Sequence, residues 1–131
     1  MAPTGPRQRI PPKRILVVED DVVVAHSIRM VLAADGHMVE MAQDGEQALA
    51  KFKASEYDLI VADFKLGKMD GLELADAIKQ HSPAKPIILI TAYTEKIDSS
   101  MGEVSNVDLL LRKPVSAGEL QEALRRVFSA V

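Results

Sequence analysis

The sequence contains no cysteine and no tryptophan, and aromatic residues make up only 4% of its 131 positions. The absence of cysteine excludes disulfide bonds, thiolate zinc sites and cysteine nucleophiles, and it is compatible with a reducing cytoplasm. No apolar run approaches the roughly 20 residues that a membrane-spanning helix needs, and the N-terminus lacks the apolar stretch of a secretory signal. We therefore expect a soluble, cytoplasmic protein with no membrane partner.

The rest of the composition indicates one folded domain with a short leader. Hydrophobic residues make up 47% and charged residues 27% of a chain that is long enough for a single core. Residues 1–12 contain four prolines and no acidic residue, and we interpret them as a disordered, basic, proline-rich leader to a domain at 13–131. After residue 18 the chain carries 12 basic against 19 acidic residues, a balance that disfavours nucleic-acid binding by the domain.

Strand and helix patterns alternate regularly after the leader. Short apolar runs predict five strands, at 15–18, 38–42, 59–62, 87–90 and 109–111. A helical pattern follows each run, with Asp21 as an N-terminal cap and capping-box spacing at Asp70–Glu73 and Ser116–Glu119. The helix at 95–106 is the weakest, because Gly102 and several Ser and Asn residues interrupt it. Five βα units without an internal repeat indicate an α/β fold with a doubly wound parallel sheet.

Apolar residues at helical spacing predict which face of each helix packs on this sheet. In the first helix the expected inward residues are Ala25, Ile28, Met30 and Leu32. In the helices that start near residues 44 and 70 they are Ala48, Leu49, Phe52, Leu74, Ala75 and Ile78. In the last helix they are Leu120, Leu124, Val127 and Phe128.

Charged and hydroxyl side chains stand at the ends of four predicted strands: Glu19 and Asp20, then Asp63, then Thr91, then Lys113. The carboxyl ends of parallel strands line one crevice, so these residues would share a single site. Repulsion among three carboxylates would raise their pKa values unless a cation lies between them, and hard oxygen ligands favour Mg²⁺. A carboxylate can attack phosphorus when a cation such as Lys113 neutralises the charge. The pattern therefore predicts a site for Mg²⁺ and a phosphoryl group.

The chain resembles a response regulator receiver domain of two-component phosphorelays, of the chemotaxis-regulator-like type. The matching segments are ILVVEDD at 15–21, DLIVADFKLGKMDG at 58–71, PIILITA at 86–92 and LLLRKP at 109–114. The resemblance implies a flavodoxin-like (βα)5 fold with strand order 2-1-3-4-5. It also implies that the chain takes a phosphoryl group from a phosphohistidine of a histidine kinase or histidine phosphotransfer protein and then switches its binding to an unknown downstream protein.

The same resemblance implies a role for each site residue. Asp63 is the phosphoacceptor, and Asp20, Asp63 and the backbone carbonyl of Lys65 bind Mg²⁺, with Glu19 acting through bound water. Thr91 is the hydroxyl that moves toward the phosphoryl group, and Lys113 is the cation that pairs with it. The Lys113–Pro114 peptide bond is expected to be cis.

The resemblance also implies how the protein behaves as a whole. It would catalyse only its own phosphorylation and dephosphorylation, and it would act as a monomer or a phosphorylation-dependent dimer. Because no effector domain follows in this sequence, its output would be noncovalent contact, unless it is part of a larger regulator or hybrid kinase.

Three residues depart from the family pattern. Gly67 replaces the usual proline four residues after the acceptor, which predicts a looser loop around Lys65. Leu110 replaces the usual aromatic residue three positions before the lysine, so the aromatic rotamer switch is expected to be absent or altered. Val115 replaces the commoner phenylalanine, which puts the usual partner-binding surface in question.

Two alternatives remain open at this stage. One is a phosphorylation-independent interaction module on the same scaffold, suggested by Gly67 and Leu110. The other is a flavodoxin-like cofactor binder or a small phosphohydrolase. The lack of tryptophan and of a Gly/Ser/Thr-rich loop after the first strand speaks against a flavin, and Lys65 stands where aspartate-based phosphatases carry a second aspartate.

We expect slow autodephosphorylation, because Lys65 and Tyr93 would flank the path of a hydrolytic water. A long cation and a ring exclude water, whereas a small amide or an acid can orient it. Replacing the pair together, by Lys65→Asn and Tyr93→Glu, should therefore shorten the half-life of the acyl phosphate, measured by loss of radiolabel. An unchanged half-life would contradict the hypothesis.

Overall fold

A computed structural model of the chain describes residues 10–92 and 107–128. The strands are β1 (Arg14–Val18), β2 (Met38–Ala42), β3 (Leu59–Asp63), β4 (Ile87–Thr91) and β5 (Leu109–Arg112). The helices in these residues are α1 (Val22–Ala34), α2 (Gly45–Ala54), α3 (Gly71–His81) and α4 (Ala117–Phe128). All strand pairs are parallel, and the sheet order is β2-β1-β3-β4-β5. The predicted α/β class and the flavodoxin-like order 2-1-3-4-5 are confirmed.

Two predicted segments lie outside the described residues. They are the first nine positions of the leader and the helix at 95–106. Residues 10–12 have no regular structure, although Ile10 is half-buried against the core. The domain boundary at residue 13 therefore stays a prediction.

The three central strands are buried on both faces. In β3 and β4 every residue is buried, and in β1 only Arg14 at its start is not. Continuous runs of Ile, Leu and Val are typical of parallel strands that helices cover on both sides. These runs extend further than predicted, since β3 ends with Asp63 itself and β4 with Thr91 itself. The backbones of Asp63 and Thr91 are therefore held by the hydrogen bonds of the sheet.

The sheet separates two apolar layers. One layer packs α2 and α3 against the sheet and includes Leu16, Ile60, Leu74 and Leu89. The other packs α1 and α4 against the opposite face and includes Ile15, Val61, Ile88 and Leu120. Successive side chains of a strand point to opposite faces, so each central strand contributes to both layers.

Aspartate or serine side chains cap the helix starts, as predicted. Asp21 accepts hydrogen bonds from the backbone N–H groups of Val23 and Val24 at the start of α1. Asp70 and Glu73 form a reciprocal capping box at α3, and the same pair of bonds joins Ser116 and Glu119 before α4. Such caps satisfy backbone donors that have no partner within the helix.

The prediction that Met30 faces the core was wrong. Met30 is 65% exposed, whereas Ala25, Ile28 and Leu32 are buried. Met30 lies two positions from Ile28, about 200° around a helix of 3.6 residues per turn, so the two side chains cannot share one face. Leu49, Val127 and Phe128 are half-buried and pack against the core.

Among the described helices, none is long and apolar enough to cross a membrane.

His37 joins the end of α1 to the start of β1. Its side chain is buried, and its Nδ1 atom accepts a hydrogen bond from the backbone N–H of Lys13 at 3.0 Å. Burial lowers the pKa of His37 below its ordinary value of 6.5, and the nearby charge of Lys13 acts in the same direction while Asp35 opposes it. Protonation of Nδ1 would remove the acceptor for the Lys13 N–H.

The stability that neutral His37 contributes should therefore depend on pH. Because the pKa is lower in the folded state, this contribution is fully present above the unfolded value and is lost as the pH falls from about 6.5 toward the folded pKa. We expect the stability advantage of the wild type over His37→Gln to shrink in that window, measured by urea denaturation. A difference that does not change with pH would contradict this role.

Candidate functional site

The ends of β1, β3 and β5 bring together side chains that are far apart in sequence. Glu19 follows β1 directly, and its backbone N–H donates to the carbonyl of Ala42 at 3.0 Å. Asp63 is the last residue of β3. Lys113 follows β5, and its backbone N–H donates to the carbonyl of Thr91 at 2.9 Å. The sheet therefore fixes the backbone at each of these positions.

Lys113 forms ion pairs with two carboxylates at once. Its Nζ atom lies 3.1 Å from Oε1 of Glu19 and 3.3 Å from Oδ2 of Asp63. The side chains of Glu19 and Asp63 are only 2% and 9% exposed, while that of Lys113 is 23% exposed. Buried charges are expensive unless they are paired, so this ammonium group is what makes two buried carboxylates tolerable. The Lys113–Pro114 peptide bond is cis, as predicted.

Burial and ion pairing shift the pKa values of all three groups. Burial raises the pKa of the Asp63 carboxyl above 3.8, although Lys113 pulls it down. Burial also raises the pKa of Glu19, with a further contribution from Asp63, against hydrogen bonds from the Asp21 N–H and Lys113. The pKa of Lys113 is raised, because the two carboxylates outweigh the effect of its burial. Lys113 is therefore a permanent cation here, whereas the carboxylates lack sufficient compensating positive charge.

Three carboxylates of this site lie close enough to bind one metal ion. Ligand oxygens of Glu19, Asp20 and Asp63 lie within 4.8 Å of one another. Asp20 is exposed, so the group opens to solvent on one side, while Glu19 is fixed by the backbone N–H of Asp21 at 3.1 Å from its Oε2. The donors are hard oxygen atoms, which are the ligands that Mg²⁺ and Ca²⁺ take in proteins.

Thr91 and Lys65 are the other two predicted site residues. Thr91 is completely buried at the end of β4, and its carbonyl is the acceptor for the Lys113 N–H. Lys65 is exposed, two positions after Asp63. Tyr93, the partner of Lys65 in the predicted exclusion of water, lies outside the described residues. The roles assigned to these side chains stay predictions.

The three departures from the family pattern have distinct surroundings. Gly67 has a positive φ of 82°, a conformation that glycine adopts at little cost. Leu110 is half-buried and packs against the layer that holds α2 and α3. Val115 packs against the other layer and lines a groove of about 570 Å³ together with Val23 and Leu120. An aliphatic side chain thus fills each position where the family usually has an aromatic one.

Gly71 is a site residue that the sequence reasoning missed. A Cβ atom there would lie 2.6 Å from the carbonyl oxygen of Asp63 and 3.1 Å from Cα of Phe64. Its backbone N–H donates to the carbonyl of Phe64 at 2.7 Å. The start of α3 therefore lies directly against the backbone of Asp63. In sequence Gly71 looks like a residue of the helix cap, since only the packing shows what it contacts.

Comparison with protein families and curated proteins gives a consistent result. A family model described as the response regulator receiver domain matches residues 15–125. The alkaline phosphatase synthesis transcriptional regulatory protein PhoP of Bacillus subtilis is 34% identical over 116 residues, which are 88% of this chain and 48% of that protein. The response regulator MprA of Mycolicibacterium vanbaalenii is 35% identical over 117 residues, 89% of this chain and 51% of that protein. The chain thus spans about half the length of these relatives.

Solved structures give the same fold. A CheY-like receiver domain protein from Methanospirillum hungatei has a TM-score of 0.82 and 30% identity, covering 92% of this chain and 96% of that one. The response regulator protein TrrA from Thermotoga maritima, solved in complex with Mg²⁺ and BeF, has a TM-score of 0.79 and 32% identity. That match covers 88% of this chain and 98% of the other.

Replacing Asp63 by asparagine should stabilise the fold at neutral pH when no divalent cation is present. The folded pKa of Asp63 is raised above 3.8, so its ionised form opposes folding above that value, by about 1.4 kcal/mol for each pKa unit. The gain in the free energy of unfolding should shrink as the pH falls below the folded pKa, and it should vanish below 3.8, where the carboxyl becomes protonated in both states.

Urea denaturation of the wild type and Asp63→Asn measures this gain, with Glu46→Gln as the control. Glu46 is an exposed acid in the first turn of α2, so its variant removes the same charge without the burial. A lower free energy of unfolding for Asp63→Asn than for the wild type at neutral pH would contradict the prediction.

Proposed function

The chain belongs to the response regulator receiver domain family, and on that premise we propose that Asp63 accepts a phosphoryl group from a phosphohistidine. The donor would be a histidine kinase or a histidine phosphotransfer protein. One observation carries the proposal: the Asp63 carboxylate lies at the end of a central strand, 3.3 Å from a fixed ammonium group and grouped with two further carboxylates. A nucleophile, a cation and a group of metal ligands thus adjoin one another.

The residues of the site fit a magnesium ion. Glu19, Asp20 and Asp63 offer oxygen ligands only, and the chain has no cysteine to favour a softer metal. Asp20, Asp63 and the backbone carbonyl of Lys65 would hold the ion, with Glu19 acting through bound water. Bound Mg²⁺ would supply positive charge beside the phosphoryl oxygens. The Thermotoga relative solved with Mg²⁺ and BeF supports this choice of metal.

In the proposed reaction, an Oδ atom of Asp63 forms a bond to phosphorus while the bond from phosphorus to the donor histidine nitrogen breaks. The nitrogen keeps the electron pair of that bond, and the product is an acyl phosphate on Asp63. Lys113 opposes the rise that burial causes in the pKa of Asp63, and so favours the ionised nucleophile. It also offers positive charge to the transferred group, which carries more negative charge than the carboxylate alone. Thr91 would donate its hydroxyl to a phosphoryl oxygen.

Phosphorylation would then change which proteins the domain binds. The new group competes with Glu19 for Lys113, whose ammonium pairs with two carboxylates before the reaction. A shift in that pairing and in Thr91 would bias a two-state equilibrium of the surrounding surface. The downstream partner, the oligomeric state, the cytoplasmic location and the absence of any enzymatic activity beyond self-phosphorylation and dephosphorylation all stay predictions.

The phosphorylation-independent interaction module is the alternative for which the chain offers a reason. Leu110 has no hydroxyl to move between buried and exposed positions, and Gly67 makes the loop after Asp63 less restricted. These two residues affect the response to phosphorylation, whereas Glu19, Asp63 and Lys113 keep the arrangement that the chemistry needs. We therefore place phosphorylation first.

Incubation with acetyl phosphate tests the proposal. We expect intact mass spectrometry to detect one phosphoryl adduct on the wild type in the presence of Mg²⁺. No adduct should form on Asp63→Asn or when the cation is chelated, because the nucleophile or the compensating charge is then missing. Glu56→Gln changes an exposed acid just before β3, at the opposite end of that strand from Asp63, so it is the matched control and should be phosphorylated like the wild type.

A wild type that is folded, gives no adduct and does not bind beryllofluoride would contradict the proposal and favour the interaction module. The beryllofluoride titration is needed because rapid hydrolysis, or strict dependence on a kinase, would also leave no adduct.

A further inference from the structure

The loop between β3 and α3 follows the acceptor directly and carries the carbonyl of Lys65. It is attached to the core at two points besides its ends. Leu66 is 1% exposed and belongs to the layer that holds α2 and α3. Met69 is half-buried and packs against the same layer. The loop closes where the carbonyl of Phe64 accepts the backbone N–H of Gly71.

The loop residue Met69 packs against Gly45, which begins α2. A Cβ atom on Gly45, the first residue of α2, would lie 2.6 Å from Sδ of Met69 and 3.0 Å from its Cβ and Cγ. Real Cβ atoms do not come as close as 2.6 Å to another heavy atom, so the Met69 side chain would have to shift, and its Cβ and Cγ, which would lie at 3.0 Å, would have to give way as well. Gly45 has no positive φ, which means that space and not backbone conformation requires a glycine here.

The backbone of the loop is least restricted at Gly67, between its two attachments. Gly67 lies between Leu66 and Met69, has a φ of 82° and would find no atom within 4 Å of a Cβ. No neighbour therefore packs where a Gly67 side chain would lie, and glycine itself restrains the backbone least of all residues. The contact between Met69 and Gly45 lies on the far side of this point from Lys65, and it limits how far the whole loop can shift.

We propose that Gly45 and Met69 are a pair of positioning residues for the metal site. Met69 packs on Gly45 and so holds the loop that carries the Lys65 carbonyl, which is assigned to the metal. This contact compensates for the backbone freedom that Gly67 introduces. This inference rests on the proposed function, since it concerns how firmly the chain holds the cation that phosphorylation requires. The pair touches neither metal nor phosphoryl group, and it acts only through the loop.

Mg²⁺ affinity, measured by isothermal titration calorimetry with Mg²⁺ alone, tests the pair. We expect Gly45→Ala and Met69→Ala each to weaken binding by up to about tenfold, the lower end of what residues that support metal ligands contribute. In the Met69→Ala background, Gly45→Ala should have little further effect, because the Sδ and Cγ atoms are already gone and only the contact with Cβ at 3.0 Å remains. Met69→Ala introduces no clash, so it tests the proposal even if Gly45→Ala does not fold.

Two control variants separate positioning from general packing. Gly118→Ala makes the same substitution near the start of α4, where a Cβ would meet nothing within 4 Å, and should leave Mg²⁺ affinity unchanged. Ile78→Val weakens the same apolar layer from within α3, and should lower the free energy of unfolding without changing Mg²⁺ affinity.

The outcomes distinguish this inference from the proposed function. The positioning role would be overturned if a folded Met69→Ala variant bound Mg²⁺ as tightly as the wild type. It would also be overturned if Ile78→Val lost as much Mg²⁺ affinity as Met69→Ala. Either result would leave the proposed function intact. Additive losses in the double variant would also overturn it, because the two residues would then act separately. A wild type that does not bind Mg²⁺ at all would overturn both.

Discussion

The arrangement of the site depends on one ammonium group between two buried carboxylates. Lys113 lies 3.1 Å from Glu19 and 3.3 Å from Asp63, and these three residues come from the ends of three different strands. Without the lysine, the ends of β1 and β3 would carry two uncompensated charges at buried positions. The pKa values of both carboxylates remain raised even with the lysine present, so the site has less positive charge than it needs. A second cation would make up this deficit.

The strands and the charged group could be anticipated because their signals are local and repeat along the chain. Ile15, Ile60 and Ile88 lie in apolar runs that only strands covered on both faces need. The caps at Asp21 and Asp70 depend on spacings of two or three residues, which the sequence displays directly. Glu19, Asp63 and Lys113 come together because parallel strands end at the same edge of the sheet. The strand order itself came from family resemblance rather than from periodicity.

Features that depend on packing between distant segments could not be anticipated in the same way. Gly45 and Gly71 both read as ordinary residues near helix caps, yet each leaves space for a specific neighbour, Met69 and the Asp63 carbonyl respectively. Met30 was placed in the core because a methionine near Ile28 and Leu32 is apolar, but its angle around the helix points it to solvent. Apolar character indicates that a residue can be buried, whereas the helical period determines whether it is.

The separation of the core into two layers has a consequence for protein engineering. Leu16 and Val17 are neighbours in β1, yet they belong to opposite layers, and the sheet backbone lies between them. The loop after the acceptor is attached to the layer of α2 and α3, through Leu66 and Met69. The layer of α1 and α4 can therefore be redesigned for greater heat resistance, or grafted from another protein, with the side chains that support this loop left as they are.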